Sequence, residues 1–265
     1  MTDTLAAGTV DLAIRQGVAT VTFNRPQARN AMTWAMYQQL SKHCEAFKVD
    51  ASVRAVVFRG AGGQAFVAGT DIEQFKTFST GQDGVAYEAQ IEACIDLLCS
   101  LPMPTVALIE GWAVGGGLAI ATACDFRLAT PGSQLGVPIA KTLGNCLSVA
   151  NVTRLSAAFG PQRVKRMLML AEMIGADEAL ACGYLHQLAE PSDINAATQE
   201  LVQRLMALAP VTQQVSKQAL NLLVKHSATA IREAEDLIRQ AYGSQDFHEG
   251  VNAFVAKRKP LWKGR

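Results

Sequence analysis

Between residues 31 and 130 the chain alternates helix-period segments with short apolar runs, and this alternation narrows the fold more than any other feature. "AMTWAMYQQLSKHCEAFKVD" carries Met32, Met36, Leu40, Cys44 and Phe47 at spacings of three and four, the stripe of an amphipathic helix. "VRAVVFRG" follows as a short strand closed by glycine, "PTVALIEG" enters a triple glycine and a second helical stretch, and "DFRLAT" leaves it. Crossover helices between such strands build a mostly parallel sheet. Ahead of them, "TVDLAI" and "VATVTFN" read as a hairpin joined through "RQG". Beyond about residue 161 strand signals thin out and helical segments punctuated by Gly and Pro take over. The expectation is an α/β core over residues 1–195 followed by a helical region over residues 196–265.

Composition sets the outer bounds. With 265 residues, 49% of them hydrophobic, the chain can bury a sizeable core. Its formal net charge of +1 leaves no global field to attract nucleic acid or an acidic membrane, so an anion site must be local. No secretory leader pattern and no long uninterrupted apolar run is visible, which leads to the expectation of a cytoplasmic protein. The six cysteines lack Cys-x-x-Cys spacing, and neither His-x-x-x-His nor clustered carboxylates occur, so no metal site is expected.

Two loop-to-helix junctions stand out. In "QAFVAGTDIEQF", Asp71 precedes Gln74 by three residues, the spacing of a capping box at a helix start. In "AVGGGLAIATACDF", three glycines open an Ala-rich helix and allow a close backbone approach. Helix starts present unsatisfied N–H groups and positive potential, so two of them converging could hold an anionic oxygen. Either junction alone fits ordinary capping and tight packing better than an anion site.

Taken together with "VTFNRPQARNAM", "AFVAGTDI", "PTVALIEGWAVGGGLAIATACDFRLAT", "FGPQRVKRMLM", "ADEALACGYLHQL" and "EGVNAFVAKRKPLWKGR", the junctions make the chain resemble the crotonase superfamily, the enoyl-CoA hydratase/isomerase family, over nearly its whole length. The resemblance implies an α/β spiral of repeated ββα units with a C-terminal helical trimerisation region, assembling as a homotrimer or hexamer. It implies an acyl-CoA thioester substrate, coenzyme A entering as part of that substrate and not as a separate cofactor. It also implies an oxyanion hole formed by the backbone N–H groups of Thr70 and Gly116. Arg25, Ala28, Ala68, Asp71, Ile72 and, from the basic tail "KRKPLWKGR", Lys257 fall where the family contacts CoA.

The chain departs from the family at the reacting carbons. Family hydratases carry one glutamate two residues after the last glycine and another after a later proline; these positions are Ala119 and Ile139 here. Ser148 stands where family isomerases place a carboxylate. Methyl and sec-butyl groups cannot deprotonate water. The stretch "VPIAKTLGNCLSVANVTRL" offers Asn145 and Cys146 as candidate polar groups instead. Two readings follow: an enzyme whose enolate chemistry needs no strong base, decarboxylation included, or a catalytically silent acyl-CoA-binding or assembly protein on the same scaffold.

Overall fold

The computed structural model describes residues 8–226 and 238–262. The hairpin forms as expected: β1 (Thr9–Arg15) pairs antiparallel with β2 (Val18–Asn24) across a Gln16–Gly17 turn in which both residues have positive φ. Helix α1 (Trp34–Val49) is capped by Thr33, whose side chain accepts from the Met36 amide, and it buries Met36, Leu40, Cys44 and Phe47. Met32, expected within this helix, lies just before it and bridges in parallel to Thr70.

The chain then winds through repeated turns of two strands and a helix. One turn is β3 (Ala55–Gly60), β4 (Ala65–Val67) and α2 (Gly81–Cys99); the next is β5 (Thr105–Ile109), β6 (Trp112–Val114) and α3 (Gly116–Ala123). A further turn comprises β7 (Phe126–Ala129), β8 (Gln134–Gly136) and the short α4 (Ile139–Thr142). The first strand of each turn joins a six-stranded sheet whose order begins β1-β2-β3-β5-β7, and the second joins a four-stranded sheet whose order begins β4-β6-β8. β3, β5 and β7 are mutually parallel, as crossover connections require. This is the expected ββα spiral. After α5 (Val149–Phe159) and α6 (Pro161–Met169), the stretch in which strand signals thin out contributes two strands of two residues each, β9 (Ile174–Gly175) and β10 (Gln187–Leu188), which extend the sheets on either side of α7 (Ala176–Ala181).

The main apolar core lies between the sheets and helices α1, α2, α3 and α5, and includes Phe23, Phe58, Phe66, Leu118 and Ile120. Helix α8 (Ile194–Met206) covers the opposite face of the larger sheet, packing Ile194, Leu201, Val202 and Leu205 on Val57, Val106, Leu108 and Leu128. The C-terminal helices are thus docked on the core. Helix α9 (Pro210–His226) is tied to it by a Lys217–Asp125 ion pair at 2.8 Å and by Asn221 donating to the Cys99 carbonyl at 2.9 Å. Helix α10 (Gln245–Val255) buries Phe247 against Phe75 and Phe78. Among the described residues no helix is long and apolar enough to cross a membrane.

Glycine sets the closest backbone crossings. A methyl group at Gly117 would lie 2.0 Å from the Val67 carbonyl oxygen, so α3 rests directly on β4. Backbone oxygen cannot rotate away, and overpacking of this kind costs about 1–3 kcal/mol or more. Gly117→Ala should therefore lose at least about 2 kcal/mol of stability; urea unfolding within 0.5 kcal/mol of wild type, a change of about the size expected at a neutral surface site, would show that α3 can move away from β4.

Candidate functional site

The segment around Thr70 is shaped by a parallel strand-like pairing. The Ala68 amide donates to Arg29 O at 3.1 Å, Met32 N to Gly69 O at 2.8 Å and Asp71 N to Met32 O at 2.9 Å. In an extended backbone, alternate peptide groups face opposite sides. Gly69 and Asp71 spend theirs on Met32, so the Thr70 amide faces away, and it donates to no acceptor among the described residues. Upstream, Asn30 is fully buried and holds this pairing in place. Its Oδ1 accepts from Arg25 N at 2.9 Å, and its Nδ2 donates to Ala61 O at 2.9 Å and Ala65 O at 2.8 Å.

The helix expected after Asp71 is a six-residue 3₁₀ turn (Ile72–Thr77), followed by a break and then α2, whose own capping box is Thr80 with Asp83. Asp71 does cap the turn, accepting from Glu73 N at 3.1 Å. Gln74 does not close the expected reciprocal box. Its Oε1 accepts from Trp34 N at 2.6 Å and its Nε2 donates to Met32 O and Asp71 O, both at 3.2 Å, so it ties this loop to the start of α1. The amide exposed at Thr70 therefore owes its freedom to strand alternation and not to a helix dipole.

Gly116 is the first residue of α3, where backbone N–H groups have no partner within the helix. Its amide likewise has no acceptor among the described residues. Gly115 before it sits at φ 54° and ψ −119°, a conformation open to glycine. The two junctions touch: a methyl at Gly115 would lie 3.8 Å from Gly69 Cα, and one at Gly116 would lie 2.5 Å from Tyr37 Oη and 3.4 Å from Thr70 Oγ1. Thr70 and Gly116 are both half-buried.

Around these amides the side chains are hydroxylic and aromatic. Thr70 Oγ1 lies 2.9 Å from Tyr37 Oη and 2.9 Å from Tyr87 Oη. Burial pushes both phenols well above their ordinary range, so they remain protonated. Trp34, Phe75, Phe78, Tyr242 and Phe247 pack around Tyr87 or on one another. Ala119 is buried on α3, Ile139 packs at the rim of the core as the first residue of α4, and Ser148 caps α5 by accepting from Asn151 N at 3.2 Å. None of the three supplies a carboxylate.

A buried carboxyl nevertheless lies nearby. Glu88 of α2 accepts from Tyr242 Oη at 2.8 Å on one oxygen and from the Ser148 amide at 2.9 Å on the other. Burial raises its carboxyl to about 7, against the lowering effect of both hydrogen bonds, with Glu92 adding repulsion. Asn145 donates to Tyr242 Oη at 3.0 Å and leaves its own Oδ1 buried with no partner among the described residues. Cys146 sits in the same loop; burial, with the Glu88 charge adding to it, pushes its thiol up to about 12, so it is not a thiolate at neutral pH. Asn145 and Cys146, expected as candidate groups, thus stand at the Glu88–Tyr242 network, Asn145 through its bond to Tyr242 and Cys146 through the Glu88 charge. Glu88, Tyr37, Tyr87 and Tyr242 escaped the sequence reading. Glu88 had a signal: it falls on the stripe Gly84, Glu88, Ile91, Ile95 and Leu98, all buried in α2.

Of the residues expected to contact CoA, Arg25 pairs with Asp71 at 2.8 Å, which fixes both beside Ala68 and Ile72. Ala28 belongs to a short 3₁₀ turn in the same loop. Lys257 is exposed beyond α10, and its neighbour Arg258 is engaged by Glu249 through both guanidinium nitrogens. Lys263 and Arg265 of the basic tail lie outside the described residues. No group of three or more His, Cys, Asp or Glu suited to a metal occurs among the described residues.

With this geometry in view, the comparisons with known proteins decide the kinship. A family model described as enoyl-CoA hydratase/isomerase matches residues 13–265. The chain belongs to the enoyl-CoA hydratase/isomerase family. The short-chain-enoyl-CoA hydratase of Clostridium acetobutylicum is 32% identical over 243 residues, covering 91% of this chain and 92% of the relative. A methylmalonyl-CoA decarboxylase, solved in complex with 2-nitronate-propionyl-CoA, superposes with a TM-score of 0.88 at 26% identity, covering 97% of this chain and 98% of the other. An enoyl-CoA hydratase from Mycobacterium avium superposes with a TM-score of 0.84 at 27% identity, covering 96% and 98%. Family members of differing chemistry therefore share this scaffold.

The raised Glu88 carboxyl predicts a pH dependence of stability. A folded value of about 7 against an ordinary 4.5 means that the folded state holds the proton more tightly. Stability is therefore fullest below the unfolded value and falls as pH rises through the folded one, by about 3 kcal/mol at roughly 1.4 kcal/mol per unit. Thermal unfolding should show a smaller loss between pH 5 and pH 8 for Glu88→Gln than for wild type; equal losses would mean that Glu88 is not the titrating group.

Proposed function

We propose that the chain is an acyl-CoA-processing enzyme that holds the oxygen of a thioester enolate between the backbone amides of Thr70 and Gly116. The observation that carries this reading is the meeting of two uncommitted N–H groups at the Gly69 and Gly115 contact, both on half-buried residues beside protonated hydroxyls. Preorganised donors of this kind act where charge develops, and losing one costs about 3–4 kcal/mol of catalysis.

In the proposed reaction the substrate is a malonyl-type thioester. The bond from the α-carbon to its carboxylate breaks, carbon dioxide departs, and the electron pair moves into the thioester to give the enolate, which then takes a proton from water at the α-carbon and leaves hydroxide. No base is needed for the bond-breaking step, which suits a site with Ala119, Ile139 and Ser148 where family hydratases and isomerases carry carboxylates. The likeness to a methylmalonyl-CoA decarboxylase at 26% identity supports this choice. The competing reading, hydration of an enoyl-CoA, draws on the 32% identity to a short-chain-enoyl-CoA hydratase. It requires a group to deprotonate water, a part for which the nearby buried Glu88, held by Tyr242 and the Ser148 amide, is the candidate.

Arg25, Ala28, Ala68, Asp71, Ile72 and Lys257 are proposed to line the CoA moiety, the lysine as a point charge for phosphate. Self-association is proposed as well. Leu208, Val211, Val215, Leu220, Leu222 and Leu223 are exposed along and just before α9, more apolar surface than an isolated helix leaves in water. Light scattering at micromolar concentration should give a trimer or hexamer, and a stable monomer would end that part of the proposal.

Purified protein assayed on crotonyl-CoA beside a malonyl-type CoA should release carbon dioxide from the second and hydrate the first slowly, since absence of an acid–base group forfeits about 10²- to 10⁴-fold. Hydration at ordinary hydratase rates with no decarboxylation would overturn the reaction proposed. Binding of acyl-CoA with no turnover of either substrate would favour the catalytically silent alternative.

A further inference from the structure

The hydroxyl cluster beside the two amides holds a proton without an assigned acceptor. Thr70 Oγ1 makes two contacts of 2.9 Å, one to Tyr37 Oη and one to Tyr87 Oη, and three hydroxyls carry three protons. Two contacts use two of them. Neither phenol oxygen nor Thr70 Oγ1 has any further partner among the described residues, so one O–H remains uncommitted whichever way the chain runs.

The chemistry of the groups decides which proton it is. A phenol O–H is a better donor than an aliphatic one, and a phenol oxygen, whose lone pair is shared with the ring, is a poorer acceptor. Both tyrosines therefore donate to Thr70. A hydroxyl oxygen offers two lone pairs, so Thr70 Oγ1 is then filled as an acceptor and must direct its own proton elsewhere. The direction is constrained by packing. Tyr37 is a buried residue of α1 and Tyr87 of α2, and the cluster borders the Gly116 turn: the position a methyl would take at Gly116 lies 2.5 Å from Tyr37 Oη and 3.4 Å from Thr70 Oγ1. The two phenols cannot ionise to release this arrangement, since burial keeps them protonated.

We infer that the Thr70 side-chain hydroxyl, its lone pairs filled by Tyr37 and Tyr87, is a third donor to the anionic oxygen held by the Thr70 and Gly116 amides. The inference rests on the thioester-enolate reading of the site. It makes Thr70 donate twice, through backbone and side chain, and gives the tyrosines a task that their positions on separate helices would not otherwise explain. They lock the threonine rotamer and polarise its O–H, since hydrogen bonds in series strengthen one another. A donor aimed at developing charge favours the enolate over the neutral thioester.

The test separates those two ligands. Wild-type protein, Thr70→Val and Thr70→Ser are titrated with propionyl-CoA, a neutral thioester, and with 2-nitronate-propionyl-CoA, an anionic mimic of the enolate. Wild type should prefer the nitronate. Thr70→Val keeps the backbone amide and should lose about 10- to 100-fold of nitronate affinity while propionyl-CoA binding changes by less than about threefold; Thr70→Ser should recover most of the nitronate affinity. Because valine strands two buried phenol hydroxyls, Tyr37→Phe combined with Tyr87→Phe provides a second route, with a several-fold loss confined to the nitronate. An unchanged nitronate preference in Thr70→Val or, where that protein does not fold, in the double variant overturns the inference and leaves the two-amide site standing. Equal affinity of wild type for the two ligands removes the enolate reading and this inference with it.

Discussion

Two backbone turns pass side by side through glycines whose positive φ other residues rarely adopt, and the rest of the site follows from that passage. Gly69 at φ +98° and Gly115 at φ +54° face each other, Gly117 lies on the Val67 carbonyl, and Gly60 and Gly111 admit the backbone of residues 64–66 just as closely. These contacts join successive turns of the spiral where the chain crosses from one sheet to the other. The same crossing points turn peptide groups away from the ladders: Thr70 because its neighbours face Met32, Gly116 because a helix begins there. An anion site made of backbone needs no charged side chain, which fits a chain whose overall charge is close to zero.

What surrounds the amides determines what such a site can do. Protonated phenols, a threonine hydroxyl and aromatic rings make a neighbourhood rich in donors and poor in bases. Glu88 is held by the Tyr242 hydroxyl and the Ser148 amide and joins α2, the loop before α5 and the C-terminal region into one buried network. Gly84 permits this network, since a methyl there would lie 2.2 Å from the Tyr242 ring. The proposed loss of carbon dioxide, which needs no base, suits such surroundings better than an attack by water, which would have to be deprotonated. The family's shared scaffold thus leaves the reaction to the few side chains that line the reacting carbons.

The elements legible in the sequence are those encoded by neighbours along the chain. The hairpin, the stripe of α1, the strands β3, β5 and β7 and the triple glycine each carry a local period or turn signal, and the family motifs span the whole fold. The contacts that were not legible join distant segments. Tyr37 and Thr70 are 33 residues apart, and Tyr242 and Glu88 are 154 apart. Tyr37, Glu88 and Tyr242 each read locally as ordinary helix residues, and Thr70 stands out for its backbone and not for its side chain. Gln74 misled for a related reason: its spacing from Asp71 fits a capping box, yet the Trp34 amide and the Met32 carbonyl, brought in by the parallel bridge, compete for its side chain and win. Strands β9 and β10, two residues each, are too short for any period to show.

The central claim is that backbone donors polarise a thioester carbonyl at Thr70 and Gly116. Infrared difference spectroscopy of an acyl-CoA carrying ¹³C at the thioester carbon reads that polarisation in the ground state, without turnover. Two N–H donors at one oxygen should shift the carbonyl stretch of the bound thioester to lower frequency than in water, with a narrowed band from the single, fixed environment. A bound thioester whose stretch lies at or above its frequency in water would contradict the account.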